Sequence, residues 1–118
     1  MNVGGSFAVR ASELELEPEE LDPSQIVAGS PATSGTVVEE SADGRIVRGV
    51  WRCTPGTVTD VESDELFVVL EGRATIEVEG GPVLEVAAGS VCVLERGART
   101  TWTVHEPLLK AYQITVSD

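Results

Sequence analysis

From Thr36 onward the sequence consists of short runs rich in Val, Ile and Thr, each of which ends at a glycine, a proline or an acidic turn residue. Runs of this kind predict β-strands, and Asp43-Gly44 and Gly80-Gly81 are typical of two-residue hairpin turns. No segment of about ten residues or more carries apolar residues at helical spacing. The sequence therefore predicts an all-β fold, with strands at 36–40, 45–53, 65–71, 74–79, 83–86, 90–94, 100–104 and 110–116.

Two of the predicted strands differ in how many of their faces are apolar. The run from Leu66 to Leu70 is apolar on both faces, so we expect it to be a central strand that is covered on both sides. The strand at 74–79 alternates between apolar and polar residues and should have one face in water.

The number and spacing of the strands suit one domain, because the chain has only 118 residues. A β-sandwich, a jelly roll and a closed barrel all fit this pattern. An immunoglobulin sandwich would place a tryptophan between the two cysteines, whereas Trp51 precedes Cys53 and Trp102 follows Cys92. The jelly roll is therefore favoured. The two cysteines belong to no metal-binding pair, and we expect both to be buried thiols.

Residues 1–35 differ from the rest of the chain. Six acidic residues crowd between Glu13 and Asp22, and three prolines prevent any helix longer than a turn or two. We predict an acidic N-terminal arm over residues 1–35 and a main domain over residues 36–118. The arm forms either a short edge strand packed on the main domain or a solvated charged segment.

The charge of the chain limits its partners. Twenty acidic and eight basic residues give a formal charge of −12, which repels phosphate backbones and anionic lipids. We therefore expect no nucleic acid and no membrane among its partners. No stretch approaches about 18 consecutive apolar residues, and the first residues lack the pattern of a signal peptide, so we expect a cytoplasmic location.

Two motifs in the main domain resemble the motifs of the cupins. The first begins at Pro55-Gly56 and continues through residues 64–72, where Glu65 and Gly72 have the spacing of the first cupin motif. The second motif is carried by four short segments, in the order 88–90, 95–97, 102–106 and 110–112. In this combination the chain is most similar to the small one-domain cupins related to ureidoglycine aminohydrolase and to the ethanolamine-utilisation cupin.

The resemblance covers about residues 36–116 and has consequences for fold and assembly. It implies a jelly-roll β-barrel, also called a double-stranded β-helix, that follows the N-terminal arm. It further implies that the chain pairs into a homodimer, to which the strand-like arm could contribute.

The resemblance does not extend to the metal site of the family. Cupins that bind a divalent metal carry two histidines shortly before the glutamate of the first motif and a third after the glycine of the second. This chain has Val58 to Val61 and Thr100 at the corresponding places, and only Glu65 remains of the ligand set. One carboxylate does not hold a transition metal against water, so we expect no metal and no cofactor.

The acidic residues near the first motif offer one alternative. Asp60, Glu62 and Asp64 could gather a hard cation together with Glu65, but a solvated loop at the mouth of the barrel is the favoured interpretation.

Three residues are candidates for catalysis. In the cupin alignment Glu65 points into the barrel, where a buried carboxylate needs a partner, and Lys110 is the only lysine of the chain. Tyr112 lies two residues further on and shares the strand face of Lys110. Glu65 and Lys110 could act as general base and general acid on a small substrate. The alternatives are a structural salt bridge, a Lys110 that lies in solvent, and a Tyr112 that fills the core.

Trp51, Phe67, Thr100 and Trp102 are candidates for contact with a ligand inside the barrel, although large aromatic side chains are also core material. Three functions remain. The first is a protein that binds a small organic molecule, in an accessory role without turnover. The second is a metal-independent lyase, isomerase or cyclase that uses Glu65 with Lys110 or Tyr112. The third is a metal-dependent enzyme like the aminohydrolase, which the missing histidines disfavour.

Overall fold

The computed structural model describes residues 5–116. Apart from two single turns of 3-10 helix at Ala11–Glu13 and Pro23–Gln25, the regular structure of this part is all strand, and no helix in it is long and apolar enough to cross a lipid bilayer. The predicted all-β class is confirmed. The strands are β1 (Glu17–Glu19), β2 (Ile26–Ala28), β3 (Thr33–Glu40), β4 (Ile46–Cys53), β5 (Gly56–Val61), β6 (Asp64–Val78), β7 (Val83–Ala87), β8 (Val91–Leu94) and β9 (Arg99–Thr115).

Strand β9 organises the sheet. Its first half pairs with β5 and its second half with β4, while β6 pairs with it along its whole length. The other edge of β6 pairs with β8 and then with β7. All of these pairings are antiparallel, and the sheet curls so that alternate side chains of β4, β5, β6 and β9 point to a common interior.

The strands β6 and β9 are longer than the sequence predicted. The predicted strands at 65–71 and 74–79 join into β6, and those at 100–104 and 110–116 join into β9. Register shifts between Val69 and Ala74 bend the pair without ending it. Gly72 makes this possible, because it has φ +88° and a Cβ at this position would overlap the carbonyl of Pro107.

Strand β5 was missed by the sequence analysis. Its residues alternate between Thr, Val and Asp, a pattern too polar to stand out as a strand. Pairing decides its structure, because β9 lies on one edge and β2 on the other.

The acidic arm contributes two edge strands. β1 pairs with β3 and β2 pairs with β5, so the edge-strand interpretation is the one observed. Between them Asp22 caps the second 3-10 turn by accepting a 2.9 Å hydrogen bond from the Ser24 amide, and Gln25 Nε2 donates to the Thr59 carbonyl. Leu21 packs against the core. The division of the chain at residue 35 stays a prediction.

The core lies within the curl of the sheet. Phe67, Ile76 and Leu108 are its largest fully buried side chains, and both cysteines are buried free thiols, as predicted.

One expectation about the core is wrong. The run from Leu66 to Leu70 is covered on one side only, because Leu66 is 44% exposed and Leu70 is 39% exposed. The neighbouring strand β8 adds Val91 and Val93, each 68% exposed. Leu66 pairs with Val93 and Val68 pairs with Val91, so these four residues form a continuous outer surface, here called the apolar face.

Candidate functional site

A cavity of about 420 Å³ opens into the curl of the sheet. Side chains from β4, β5, β6 and β9 form its walls, and the arm closes one side with Glu19, Glu20 and Leu21. A larger and shallower hollow of about 790 Å³ adjoins it at Asp60 and contains neither Glu65 nor Lys110. The smaller cavity is the candidate site, because it holds the buried charged groups of the structure.

An ion pair lies at the wall of this cavity. Lys110 Nζ donates a 2.6 Å hydrogen bond to Glu65 Oε2, and the two residues are 7% and 6% exposed. Lys110 comes from the second half of β9 and Glu65 from the start of β6, so the pairing of these two strands sets the geometry. The expectation that Glu65 meets Lys110 inside the barrel matches this geometry, and the alternative of a Lys110 in solvent is wrong.

Four aromatic rings surround the ammonium of Lys110. Its Nζ lies 4.7 Å from the ring centres of both Trp51 and Trp102, 4.6 Å from that of Phe67 and 5.9 Å from that of Tyr112. Ring faces attract a cation at these distances, and the attraction is stronger where water is excluded. The rings and Glu65 together replace the water that the ammonium loses on burial.

Glu62 is a second buried carboxylate in the same cavity. Its Oε2 accepts hydrogen bonds from Thr100 Oγ1 at 2.6 Å and from Trp102 Nε1 at 3.1 Å, and the residue is 7% exposed. No Lys or Arg among residues 5–116 forms a salt bridge with it. The assignment of Glu62 to a solvated loop is therefore wrong.

The burial of Glu62 was not predictable from its position in the sequence, for a physical reason. Glu62 lies three residues before Glu65, and this odd spacing cannot place two side chains on one face of a strand. The short break between β5 and β6, at Glu62 and Ser63, turns both carboxylates inward. The only available signal was Thr100-x-Trp102, which places two hydrogen-bond donors on one face of a strand.

Burial sets the protonation behaviour of the cavity. It raises the pKa of the Glu65 carboxyl, since the loss of water outweighs the attraction of Lys110, and the charge of Glu62 acts in the same direction. The pKa of Tyr112 is also raised, mainly by burial and further by Glu19 and Glu65, so the phenol keeps its proton. The ring of Tyr112 packs on Gly49, where a Cβ would come within 2.5 Å of the phenol oxygen.

The other predicted ligand contacts divide into two groups. Trp51 and Trp102 line the cavity, as do Glu65, Lys110 and Tyr112. Phe67 is fully buried beneath Lys110, and Thr100 lines the shallower hollow and supports Glu62.

The acidic residues of the predicted loop do not act as one group. Asp64 is exposed and accepts a hydrogen bond from the Arg96 amide, and Asp60 lies exposed at the rim of the cavity. The partial loss of water from its carboxyl at the rim and the charge of the neighbouring Glu62 raise the pKa of Asp60.

The residues of this chain do not fit a transition-metal site. Val58 is apolar, Thr100 is bonded to Glu62, and Glu65 is paired with an ammonium. Within residues 5–116 no three His, Cys, Asp or Glu side chains are placed to hold a metal ion together.

Residues 40–112 match the family model of the EutQ-like cupin domain. The chain belongs to this family. The jelly-roll cupin fold and the resemblance to the ethanolamine-utilisation cupin are thereby confirmed. The likeness to ureidoglycine aminohydrolase stays a prediction. No curated protein matches the chain in sequence.

Solved structures of other cupins share the fold. A protein of unknown function of the DUF861 family from Pseudomonas syringae pv. tomato is 27% identical with a TM-score of 0.78, over 87% of this chain and 45% of its own. This chain therefore spans less than half of that relative. A putative ethanolamine utilization protein Q from Salmonella typhimurium is 19% identical with a TM-score of 0.63, over 74% of this chain and 72% of its own. The Cnp3 cupin domain of Schizosaccharomyces pombe is 12% identical with a TM-score of 0.68, over 98% of this chain and 74% of its own.

The buried ion pair gives a first prediction about stability. Lys110→Met leaves the Glu65 carboxylate in the core without its counter-ion, and we expect the free energy of unfolding to fall by about 3–5 kcal/mol. Adding Glu65→Gln removes the stranded charge, so the double variant should be more stable than Lys110→Met alone. Urea unfolding measures all three values.

The exposed pair of Arg73 and Glu106 provides the control for this cycle. Its atoms are 2.9 Å apart, but the side chains are 51% and 60% exposed. Arg73→Met should cost less than about 1 kcal/mol. If Lys110→Met costs no more than Arg73→Met, the ion pair does not have the energetic role assigned to it.

The raised pKa of Glu65 gives a second prediction. A carboxyl whose pKa is raised by folding stabilises the protein fully below its ordinary pKa of 4.5, and this contribution is lost as the pH rises through the raised value. Glu65→Gln keeps the neutral state at every pH. The stability of the variant relative to the original chain should therefore increase as the pH rises above 4.5, which thermal or urea unfolding at a series of pH values measures.

Glu95→Gln removes an exposed carboxyl outside the cavity and serves as the control for this series. A stability difference between Glu65→Gln and the original chain that stays constant with pH, or falls as the pH rises, would contradict the prediction.

Proposed function

We propose that this cupin binds a small organic molecule in the 420 Å³ cavity, without a bound metal ion. The observation that carries the proposal is the cavity itself: it is of a size typical for small-molecule sites, and charged groups and indole rings converge on it. An interior that served packing alone would not contain the carboxyl groups of Glu62 and Glu65, because burying a carboxylate costs free energy. An accessory or ligand-binding role follows, and the cytoplasmic location stays a prediction.

The polar groups at the cavity are held rigidly, which favours recognition. Glu65 is fixed by Lys110, Glu62 by Thr100 and Trp102, and Tyr112 by its contact with Gly49. Groups that are already ordered before binding lose little entropy when a ligand arrives.

A search for a retained ligand tests this function. We expect native mass spectrometry of the chain purified from its own host to show an additional mass of a small molecule. Leu21→Trp, which extends a larger side chain from the arm into the cavity, should abolish that additional mass, since the ligand and the indole compete for one space.

Val27→Trp is the matched control, because Val27 is 61% exposed on an arm strand and lies outside the cavity. It should retain the ligand. Finding no additional mass in the original chain, or equal additional mass in both variants, would refute binding in this cavity.

A second candidate function is metal-independent turnover, as a lyase, isomerase or cyclase. The observation that favours it is the 2.6 Å contact between a carboxyl of raised pKa and an ammonium at the cavity wall, with Tyr112 beside them. Such a pair can remove a proton at one position and return it at another. Under this function Glu65→Gln binds the molecule but no longer converts it, whereas under the binding function no conversion occurs in either chain.

We further propose that the chain forms a homodimer through the apolar face. Leu66, Val68, Val91 and Val93 form a surface without charged side chains on a chain of net charge −12, so two copies meet there with the least repulsion. A two-fold axis brings the same face of both copies together. The contact would also cover the outer side of the Leu66 to Leu70 run, and exposed apolar patches of this kind are typical of protein–protein contacts.

The dimer is tested by Val93→Glu. A carboxylate at this position is brought to the two-fold contact from both copies, and we expect sedimentation velocity to show monomers in place of dimers. Val83→Glu makes the same change on β7, at a residue that is 61% exposed and outside the apolar face. It should leave the dimer intact, and a chain that is monomeric before any substitution would disprove the proposal.

A further inference from the structure

We propose that the ligand is an organic cation with N–H groups, a protonated amine, and that Glu62 is the residue that binds its nitrogen. This inference rests on the proposed function, because it names the class of molecule for the same cavity.

Glu62 provides the first argument. The residue is only 7% exposed, and both of its hydrogen-bond donors, Thr100 and Trp102, reach the same oxygen, Oε2. Within residues 5–116 no group donates to Oε1, and no cation balances the charge. No fully buried side-chain nitrogen or oxygen within residues 5–116 lacks a partner, so Oε1 is accessible, and Glu62 lines the cavity. A ligand there can therefore bring both an N–H donor and a positive charge to this oxygen.

The charges around the cavity give the second argument. Five carboxylates line it, from Glu19, Glu20, Asp60, Glu62 and Glu65, against the single ammonium of Lys110. Glu65 already neutralises that ammonium at 2.6 Å. The remaining carboxylates attract a cation and repel an anion, and the partial exclusion of water strengthens both effects.

The aromatic lining gives the third argument. Trp51, Trp102 and Tyr112 line the cavity, and their rings already attract one ammonium, that of Lys110. Val58 and Ile114 add apolar surface for the carbon part of a ligand. An organic cation is therefore favoured over a metal ion, which would gain nothing from these groups and finds no three side-chain ligands within residues 5–116.

The two tryptophans provide a direct measurement. Trp51 and Trp102 are the only tryptophans of the chain, and both line the cavity, so their fluorescence reports on its occupation. We would titrate the full chain with butylammonium, butanol and butyrate, which share one carbon skeleton and differ in charge. Butylammonium should bind more tightly than either of the others, with a Kd of about millimolar order for so small a probe.

Glu62→Gln is the decisive variant. The indole of Trp102 can only donate, so it holds the amide oxygen of the substituted side chain in the place of Oε2 and turns the NH₂ group towards the cavity. The NH₂ group of the substituted side chain and the N–H groups of butylammonium are both donors and cannot bond to each other. The Kd for butylammonium should therefore rise by about tenfold or more. Asp60→Asn at the rim should raise it by roughly twofold to fivefold, which keeps the proposal testable if the first variant folds poorly.

Glu95→Gln controls for the loss of one negative charge, and it should leave the Kd unchanged because Glu95 lies outside the cavity. The inference is overturned if butyrate or butanol binds as tightly as butylammonium, if no probe binds, or if Glu62→Gln and Asp60→Asn bind butylammonium as the original chain does. It is also overturned if manganese chloride binds tightly and loses affinity in Glu62→Gln. A retained neutral or anionic molecule that Leu21→Trp expels would refute this inference while the proposed function stands.

Discussion

The ammonium of Lys110 is buried away from water, and much of the interior is arranged around it. One carboxylate, Glu65, supplies a direct hydrogen bond, and the faces of four aromatic rings supply the rest of its surroundings. A buried ion pair by itself contributes little net stability, because both groups lose their hydration. It joins the neighbouring strands β6 and β9, which also pair through their backbones, on the side that faces the cavity.

The same two strands explain why one sheet can both enclose a core and keep a cavity. Each runs through both halves of the fold, and the bulges opposite Pro107 bend the pair where a strand break would otherwise be needed. Ile76 and Val104 are buried apolar side chains of the core, whereas Glu65 and Lys110 bring charged groups to the cavity wall beside Trp102. This EutQ-like cupin domain thus has a cavity that opens into the curl of its sheet and is lined by an ammonium and by carboxylates.

The arm connects the fold to the proposed function. Its two short strands add to the sheet edges, and Leu21 and Glu20 form part of the cavity wall. This addition pairs part of the backbone edges of β3 and β5 that would otherwise be exposed. The paired part is protected from pairing with other chains. The apolar face lies elsewhere, on β6 and β8, and none of its four residues lines the cavity.

The sequence by itself determined the all-β class and the family, because runs of β-branched residues, glycine turns and the cupin motifs are local signals. It named Glu65 and Lys110 as partners, but only the structure excluded a Lys110 in solvent. The sequence did not determine β5, the joining of strands into β6 and β9, the exposure of Leu66, or the burial of Glu62. Each of these depends on a partner distant in the chain: β9 pairs with β5, Pro107 lies against Gly72, and Trp102 and Thr100 bind Glu62 from 40 and 38 residues away. Local sequence patterns determine which side chains share a face of a strand. Only the packed sheet determines which of these faces is exposed to water and which carboxylates are buried.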